Sequence, residues 1–183
     1  MDLGKYQNTD FNRGAGSLKE FCWLLVSARV FRHSVMPWYR LRRFFLRVFG
    51  SHVAKAVIIK PGVNVTFPWK LSIGENSWIG EEAWLLNLDH ITIGANVCIS
   101  QRVLLCTGNH DWSDPRFALL TRPIVVKDGV WICADVFVGP GVTIGENAVV
   151  TAGSVVTGDL PPGMICSGNP CAPVKPRIMR PDK

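Results

Sequence analysis

The chain has 183 residues, 48% of them hydrophobic and 19% charged, with a formal net charge of +6 at pH 7. That balance supports one packed core and excludes a disordered chain. The longest mostly apolar run, Phe21 to Val30, is interrupted by Ser27 and Arg29, so it falls well short of the about 20 residues that cross a bilayer.

The excess positive charge is confined to the beginning of the chain. Residues 1–50 hold nine Lys or Arg against three Asp or Glu, whereas residues 51–183 hold eleven of each sign. Positive charge gathered at one end, with no stacking surface beneath it, argues against a nucleic-acid partner. Asp2, Lys5 and Asp10 precede the first apolar segment, which lacks a small-residue cleavage site. No secretory leader is therefore expected, and the chain is expected in the cytoplasm. Six cysteines at 22, 98, 106, 133, 166 and 171 form no Cys-x-x-Cys pair. They read as small apolar side chains in a reducing compartment, and no metal site is expected.

Ser17-Leu-Lys-Glu20 is a capping-box pattern ahead of an apolar run and predicts a helix over 18–32. Met36-Pro37 breaks it. A second helix over 38–49 puts Trp38, Leu41, Phe45 and Val48 on one side and Arg40, Arg43 and Arg47 on another, with Gly50 as its stop. Two roles stay open for this basic, aromatic extension. It can pack on the next domain and close its end, or its residues 18–49 can make a peripheral contact at the inner face of a membrane.

From about residue 51 the pattern changes to a period of six. Ile73, Ile79, Ile93, Ile99, Val126, Ile132, Val138, Ile144, Val150 and Val156 recur at that spacing apart from two interruptions. Four residues after the first nine stand Ser77, Ala83, Val97, Val103, Val130, Val136, Val142, Ala148 and Ser154, all small or β-branched. Gly follows the aliphatic at 74, 80, 94, 139 and 145, and is read as serving tight turns. A period of six dominated by β-branched residues is not helical. It describes a triangular prism: each unit supplies a short flat strand and a corner, and three units close a coil that stacks on the next. Ile59, Val65 and Leu71 mark degenerate first coils. Two extra residues interrupt the register near Asn87–His90, and a longer segment leaves the prism between Cys106 and Val125. The expected organisation is an extension (1–50), a prism (51–160) with an excursion at 106–125, and a tail (161–183) that is extended over Pro170–Arg177.

The repeat, Thr107-Gly-Asn-His-Asp111, Val130-Trp-Ile-Cys-Ala134, Gly139-Pro-Gly-Val-Thr-Ile-Gly145, Ala152-Gly-Ser-Val-Val-Thr157 and Gly168-Asn-Pro170 together resemble the hexapeptide-repeat acetyltransferases. Pro68-Trp-Lys-Leu71, Trp78-Ile-Gly80, Leu86-Asn-Leu-Asp89 and His110-Asp-Trp112 bring the chain nearest to those members assigned to colanic acid biosynthesis. The resemblance implies an all-β fold, a left-handed parallel β-helix with an N-terminal helical extension. It also implies a homotrimer and transfer of acetyl from acetyl-CoA to a sugar or glycan hydroxyl during exopolysaccharide assembly. A serine or nucleotide-amino-sugar acceptor, and a non-catalytic membrane-associated scaffold, are the competing readings. A zinc carbonic anhydrase on the same prism would need three converging His, and their spacing is absent.

A thioester is already activated, so the chemistry needs a base for the acceptor hydroxyl and a donor for the oxyanion. His110 lies in the excursion beside Asn109 and Asp111, and the resemblance makes it the catalytic base in a direct transfer. Cys106 reads as a packed residue rather than an acyl carrier. Asn87, Asp89, Asp111 and Trp112 are candidates for acceptor contacts. His33 and His52 read as structural, and His90 shares the insertion with Asp89. The resemblance lays the donor along a groove between neighbouring prisms, on Trp131, Ala134, Gly139, Gly153, Ser154 and Thr157, with Lys175 and Arg177 toward its phosphates. Gly158, Ala172 and Cys133 depart from the family pattern, the first two at positions that are commonly Lys.

Overall fold

A computed structural model describes residues 2–8, 11–32, 36 and 38–180. Its body is a stack of triangular coils, the expected left-handed parallel β-helix with an N-terminal helical extension. The first face stacks His52–Val53, Leu71–Ile73, Ile91–Ile93, Ile124–Val126 and Thr143–Ile144. The second stacks Ile58–Ile59, Trp78–Ile79, Cys98–Ile99, Trp131–Ile132 and Val149–Val150. The third stacks Asn64–Val65, Trp84–Leu86, Leu104–Cys106, Phe137–Val138 and Val155–Val156. All these neighbours pair in parallel, so every coil passes its backbone hydrogen bonds to the next.

The register follows the period of six. Every aliphatic from Ile73 to Val156 named above is buried, as is every residue four positions on. The glycines act differently from expectation. The left-handed backbone occurs three positions after the aliphatic, at Asn76, Glu82, Asn96 and Gly153 among others, rather than directly after it. Gly74 and Gly145 are required by closeness: a Cβ on either would lie 2.5 Å from backbone of the next coil. Gly139 has no such constraint, since its Cβ would meet nothing nearer than 3.4 Å.

Helix α1 spans Ser17–Val26 and runs into six residues of wider π-helical winding, Ser27–Arg32. The capping box does not form. Gly16 is the N-cap, and Glu20 instead pairs with Arg13 at 2.8 Å. Helix α2 spans Tyr39–Val48. Pro37 and His33 lie outside the described residues. α2 is turned opposite to its apolar pattern: Arg42 and Leu46 are buried, while Trp38, Leu41 and Val48 face out.

The reason lies at the end of the prism. The first coil has no preceding coil, so its carbonyls need donors that a sheet neighbour would otherwise supply. Arg42 donates to Ile59 O (3.2 Å) and to Val30 O and Met36 O, Arg43 to Val57 O (2.6 Å), and Arg47 to Val53 O and Ala54 O. The Trp23 indole donates to Val65 O (2.9 Å). Trp23, Phe31 and Phe49 pack as an aromatic trio beneath these bonds, with ring centroids 5.3 Å apart about Trp23. Burial pushes the Arg42 guanidinium below its ordinary pKa, with Tyr39 opposing.

At the far end the expected extended stretch is present as the strand Cys171–Pro176, the second leg of a hairpin. Met164–Gly168 continues the second face and pairs antiparallel with Cys171–Pro176.

Candidate active site

The excursion leaves the third face after Cys106 and folds into an antiparallel hairpin, Gly108–His110 with Leu119–Thr121. His110 lies opposite Leu119, and Asn109 opposite Leu120. Successive strand residues point to opposite sides, so the hairpin presents two different faces.

One face closes a cavity of about 440 Å³, lined by His110 and Leu119 together with Tyr6, Phe11, Trp23, Phe67 and Trp69. Phe67 and Trp69 stack at 5.3 Å, and Phe11 stands 6.2 Å from Phe67. The N-terminal segment forms a wall of this cavity and is tied down at several points. Asp2 N donates to Pro115 O (3.0 Å), the Trp69 indole to Arg13 O (2.6 Å), and Lys70 Nζ to Asn12 O and Leu88 O. Burial pushes the Lys70 ammonium below its ordinary pKa, while Asp89 pulls it back up.

The His110 ring is fixed on two sides. Its Nδ1 lies 2.8 Å from the backbone oxygen of Phe117, and the two rings stack with planes 3° apart. Tyr6 sits 5.9 Å away on the cavity side. A carbonyl oxygen only accepts, so Nδ1 carries the proton of the neutral ring and Nε2 carries the lone pair.

The opposite face of the hairpin borders a second cavity of about 400 Å³, where Asn109, Leu120 and Arg122 meet Phe137, Gly139 and Thr157. Two of the residues assigned to the donor, Gly139 and Thr157, are thus brought together at the corner between the third and first faces. Trp131 stands on the second face, and Ala134 and Gly153 lie at the corner between the second and third faces. Trp131 is largely exposed, with its indole on Ser100 Oγ (3.1 Å), and a Cβ on Gly153 would meet nothing within 4 Å.

Several candidates are occupied elsewhere. Asn87 is fully buried. Its Oδ1 accepts from Thr66 N and Phe67 N, and its Nδ2 donates to Phe67 O (2.6 Å). Its amide completes a coil corner and is not offered to an acceptor. Ser154 is buried too, accepting from Gly168 N. Arg177 spends its guanidinium on Gly129 O (2.9 Å) and Asn147 O, which fasten the tail to the prism, whereas Lys175 is exposed. Asp89 borders a smaller neighbouring cavity with Lys70, where Thr107 Oγ1 accepts from its backbone N–H.

Asp111 and Trp112 occupy the hairpin tip rather than the His110 cavity. Asp111 Oδ1 accepts from Ser113 N, Ser113 Oγ and Asp114 N, and the Ser113 bonds chiefly hold its carboxyl below the usual range. Trp112 is 87% exposed. The Cys106 thiol donates to Gly108 O (3.2 Å), in keeping with a packed residue. Among the described residues, no group of three or more His, Cys, Asp or Glu converges as a metal site would require.

Phe117, Tyr6 and Arg122 were not legible as site residues. Phe117 adopts a left-handed φ of 55°, and no neighbouring residue signals it. Trp69 did carry a signal, as part of the Pro68-Trp-Lys-Leu71 run, whereas Phe67 did not.

The profile of the family described as bacterial transferase hexapeptide (six repeats) matches residues 123–158. Over 178 residues the chain is 43% identical to an Escherichia coli (strain K12) protein assigned by name as a colanic acid biosynthesis acetyltransferase, covering 97% of this chain and 98% of that one. A maltose O-acetyltransferase from Clostridium difficile 630 superposes with a TM-score of 0.77 at 30% identity over 88% of each chain. A hexapeptide-repeat acetyltransferase from Vibrio cholerae, solved with acetyl coenzyme A, superposes with a TM-score of 0.82 at 25% identity, over 98% of this chain and 100% of that one.

Proposed function

The chain belongs to the hexapeptide-repeat acetyltransferases, and from that premise we propose that it moves acetyl from acetyl-CoA to a hydroxyl of a sugar or glycan during exopolysaccharide assembly. Acetyl-CoA is the donor. The observation that carries the reading is the setting of His110, whose Nδ1 is committed to Phe117 O at the wall of an aromatic cavity.

The acceptor sugar lies in the cavity beside Tyr6 and the Phe67–Trp69 stack, which give it an apolar wall. A few polar groups fix its orientation. His110 Nε2 takes the proton of the acceptor hydroxyl as its oxygen attacks the thioester carbonyl carbon. The Phe117 carbonyl holds the imidazolium formed. The C–S bond then breaks, the acetyl ester remains on the sugar, and the thiolate leaves with the proton from Nε2, so transfer is direct and no acyl-enzyme forms. The positioned carbonyl and base supply the proton transfer, and the oxyanion formed on attack needs a separate hydrogen-bond donor.

His110 and the donor residues Gly139 and Thr157 lie on opposite faces of one hairpin, which supports a site completed by a second copy of the chain. Outward rows on two faces support the same reading. Trp78, Cys98 and Trp131 follow one another on the second face, and Trp84, Leu104 and Phe137 on the third, whereas the smaller Ser72, Thr92, Val125 and Thr143 line the first. The proposed assembly is a homotrimer with the donor lying between chains.

The test is thiol release from acetyl-CoA over a panel of sugar acceptors, for wild type and His110→Ala. Acceptor-dependent release that the substitution lowers by about 10² or more supports the base. Release that survives the substitution removes His110 from that role. Release with serine or an amino sugar alone moves the function to those acceptors.

A further inference from the structure

Both N-terminal helices are apolar on the side that faces away from the protein. α1 buries Trp23, and opposite it stand Leu18, Phe21 and Leu25, exposed by 75, 58 and 54%. α2 buries Arg42 and Leu46, and opposite them stand Leu41, Phe44 and Val48, exposed by 38, 57 and 60%. At roughly 100° per residue, the α1 trio falls within about 40° of the direction opposite Trp23, and the α2 trio within about 60° of the direction opposite the Arg42–Leu46 pair. Single exposed apolar side chains are ordinary, but two outward stripes on adjoining elements mark a contact surface. The arrangement has a local cause, because the arginines that would normally cover such a helix are drawn inward to cap the first coil.

We propose that this face docks on the surface of an anionic bilayer. Charge decides between occupants. Of the seven Lys or Arg in residues 17–49, Arg42, Arg43 and Arg47 are spent on carbonyls, and Lys19, Arg29, Arg32 and Arg40 are exposed, against a single carboxylate, Glu20, which is paired with Arg13 at 2.8 Å. Arg29 and Arg40 are exposed on the same elements. Apolar side chains among cations complement acyl chains beneath anionic headgroups. Among the described residues no helix is long and apolar enough to cross a membrane, so the fitting geometry is a pair of helices lying in the interface. Glu20, Trp23 and Leu24 of α1 also line the His110 cavity. Docking therefore sets the cavity beside the headgroups, where a lipid-held glycan would arrive. The docking does not depend on the acceptor assignment, and its test reads no activity.

The full-length protein is sedimented with vesicles of phosphatidylglycerol and phosphatidylcholine, and with phosphatidylcholine alone, at low and high salt. Binding to the anionic vesicles about tenfold above the neutral ones, falling as salt rises, is expected. The double variant Phe21→Ser, Phe44→Ser loses that binding by about tenfold or more with an unchanged melting temperature. Arg29→Ala with Arg40→Ala weakens it and flattens its salt dependence. Absence of binding to anionic vesicles overturns the proposal, as does binding indifferent to the Phe pair. If sedimentation equilibrium shows that the Phe pair changes subunit number, the face belongs to a second copy and the proposal is also overturned.

Discussion

The Phe117 backbone oxygen lies 2.8 Å from His110 Nδ1 while the Phe117 ring stacks on the imidazole at 4.1 Å. One residue thereby sets both the tautomer and the tilt of the ring. Phe117→Ala keeps the carbonyl and removes the stack. On the proposed role of His110, turnover should fall by about tenfold with a smaller change in acceptor KM, since ring positioning is lost rather than acceptor contact. Steady-state kinetics with a saturating donor separates the two.

Asn87 is a stability residue. Asn87→Ala strands the buried N–H of Phe67, while Thr66 N keeps Leu85 O and the Phe67 carbonyl keeps Lys70 N. The expected cost is about 1–3 kcal/mol of unfolding free energy in urea. A variant of undiminished stability with a raised acceptor KM would return Asn87 to the acceptor site.

Arg42→Met fills the same space but removes the donor to the Val30 and Ile59 carbonyls, while Met36 O keeps Trp38 N. It should cost about 3 kcal/mol or more. Arg42→Lys should restore little, because an ammonium cannot reproduce the planar fork. Thermal melts of the three proteins decide it.

The hairpin tip should loosen in acid. The carboxyl of Asp111 is held below its usual range by Ser113 and Asp114. Its folded pKa is thus lower than its unfolded one, so its contribution is complete above the ordinary carboxylate range and fades as pH falls through the depressed value. The Ser113 and Asp114 amides should lose hydrogen-exchange protection over that interval. Asp111→Asn should make their protection independent of pH.

Thiol labelling should be uneven. Burial pushes the Cys98, Cys133, Cys166 and Cys171 thiols up, whereas Cys22 is exposed on α1. Iodoacetamide at about pH 8 should modify Cys22 first, because the thiolate is the reactive form and access is needed. Peptide mapping gives the order.

The prism was legible because its interior is narrow. Ile79 or Val138 cannot be exchanged for a residue of another shape without meeting the same position one coil away, so the period is written in the sequence. α2 was misread for a related reason. Amphipathicity assumes that a helix packs on apolar surface, but this one packs on the carbonyl edge of the first coil, where Arg42 and Arg43 are better neighbours than Leu41 or Phe44. The glycines were found correctly and explained wrongly: Gly74 serves the approach of two backbones rather than a turn. Within the site, His110 could be read from its polar setting outside the repeat. Phe117 could not, because its contribution is made largely by a main-chain oxygen that any residue carries.

The alternation along the hairpin has a bearing on how this enzyme can diversify. Asn109 and His110 are neighbours in sequence yet serve separate cavities, and Leu119 and Leu120 divide the same way. Lengthening either leg by a single residue would exchange the two sets, turning the imidazole toward the neighbouring groove and an amide toward the aromatic cavity. The tip, at 111–118, carries no such parity. Related enzymes are thus free to vary the tip in length as acceptors change, while the legs tolerate insertions only in pairs.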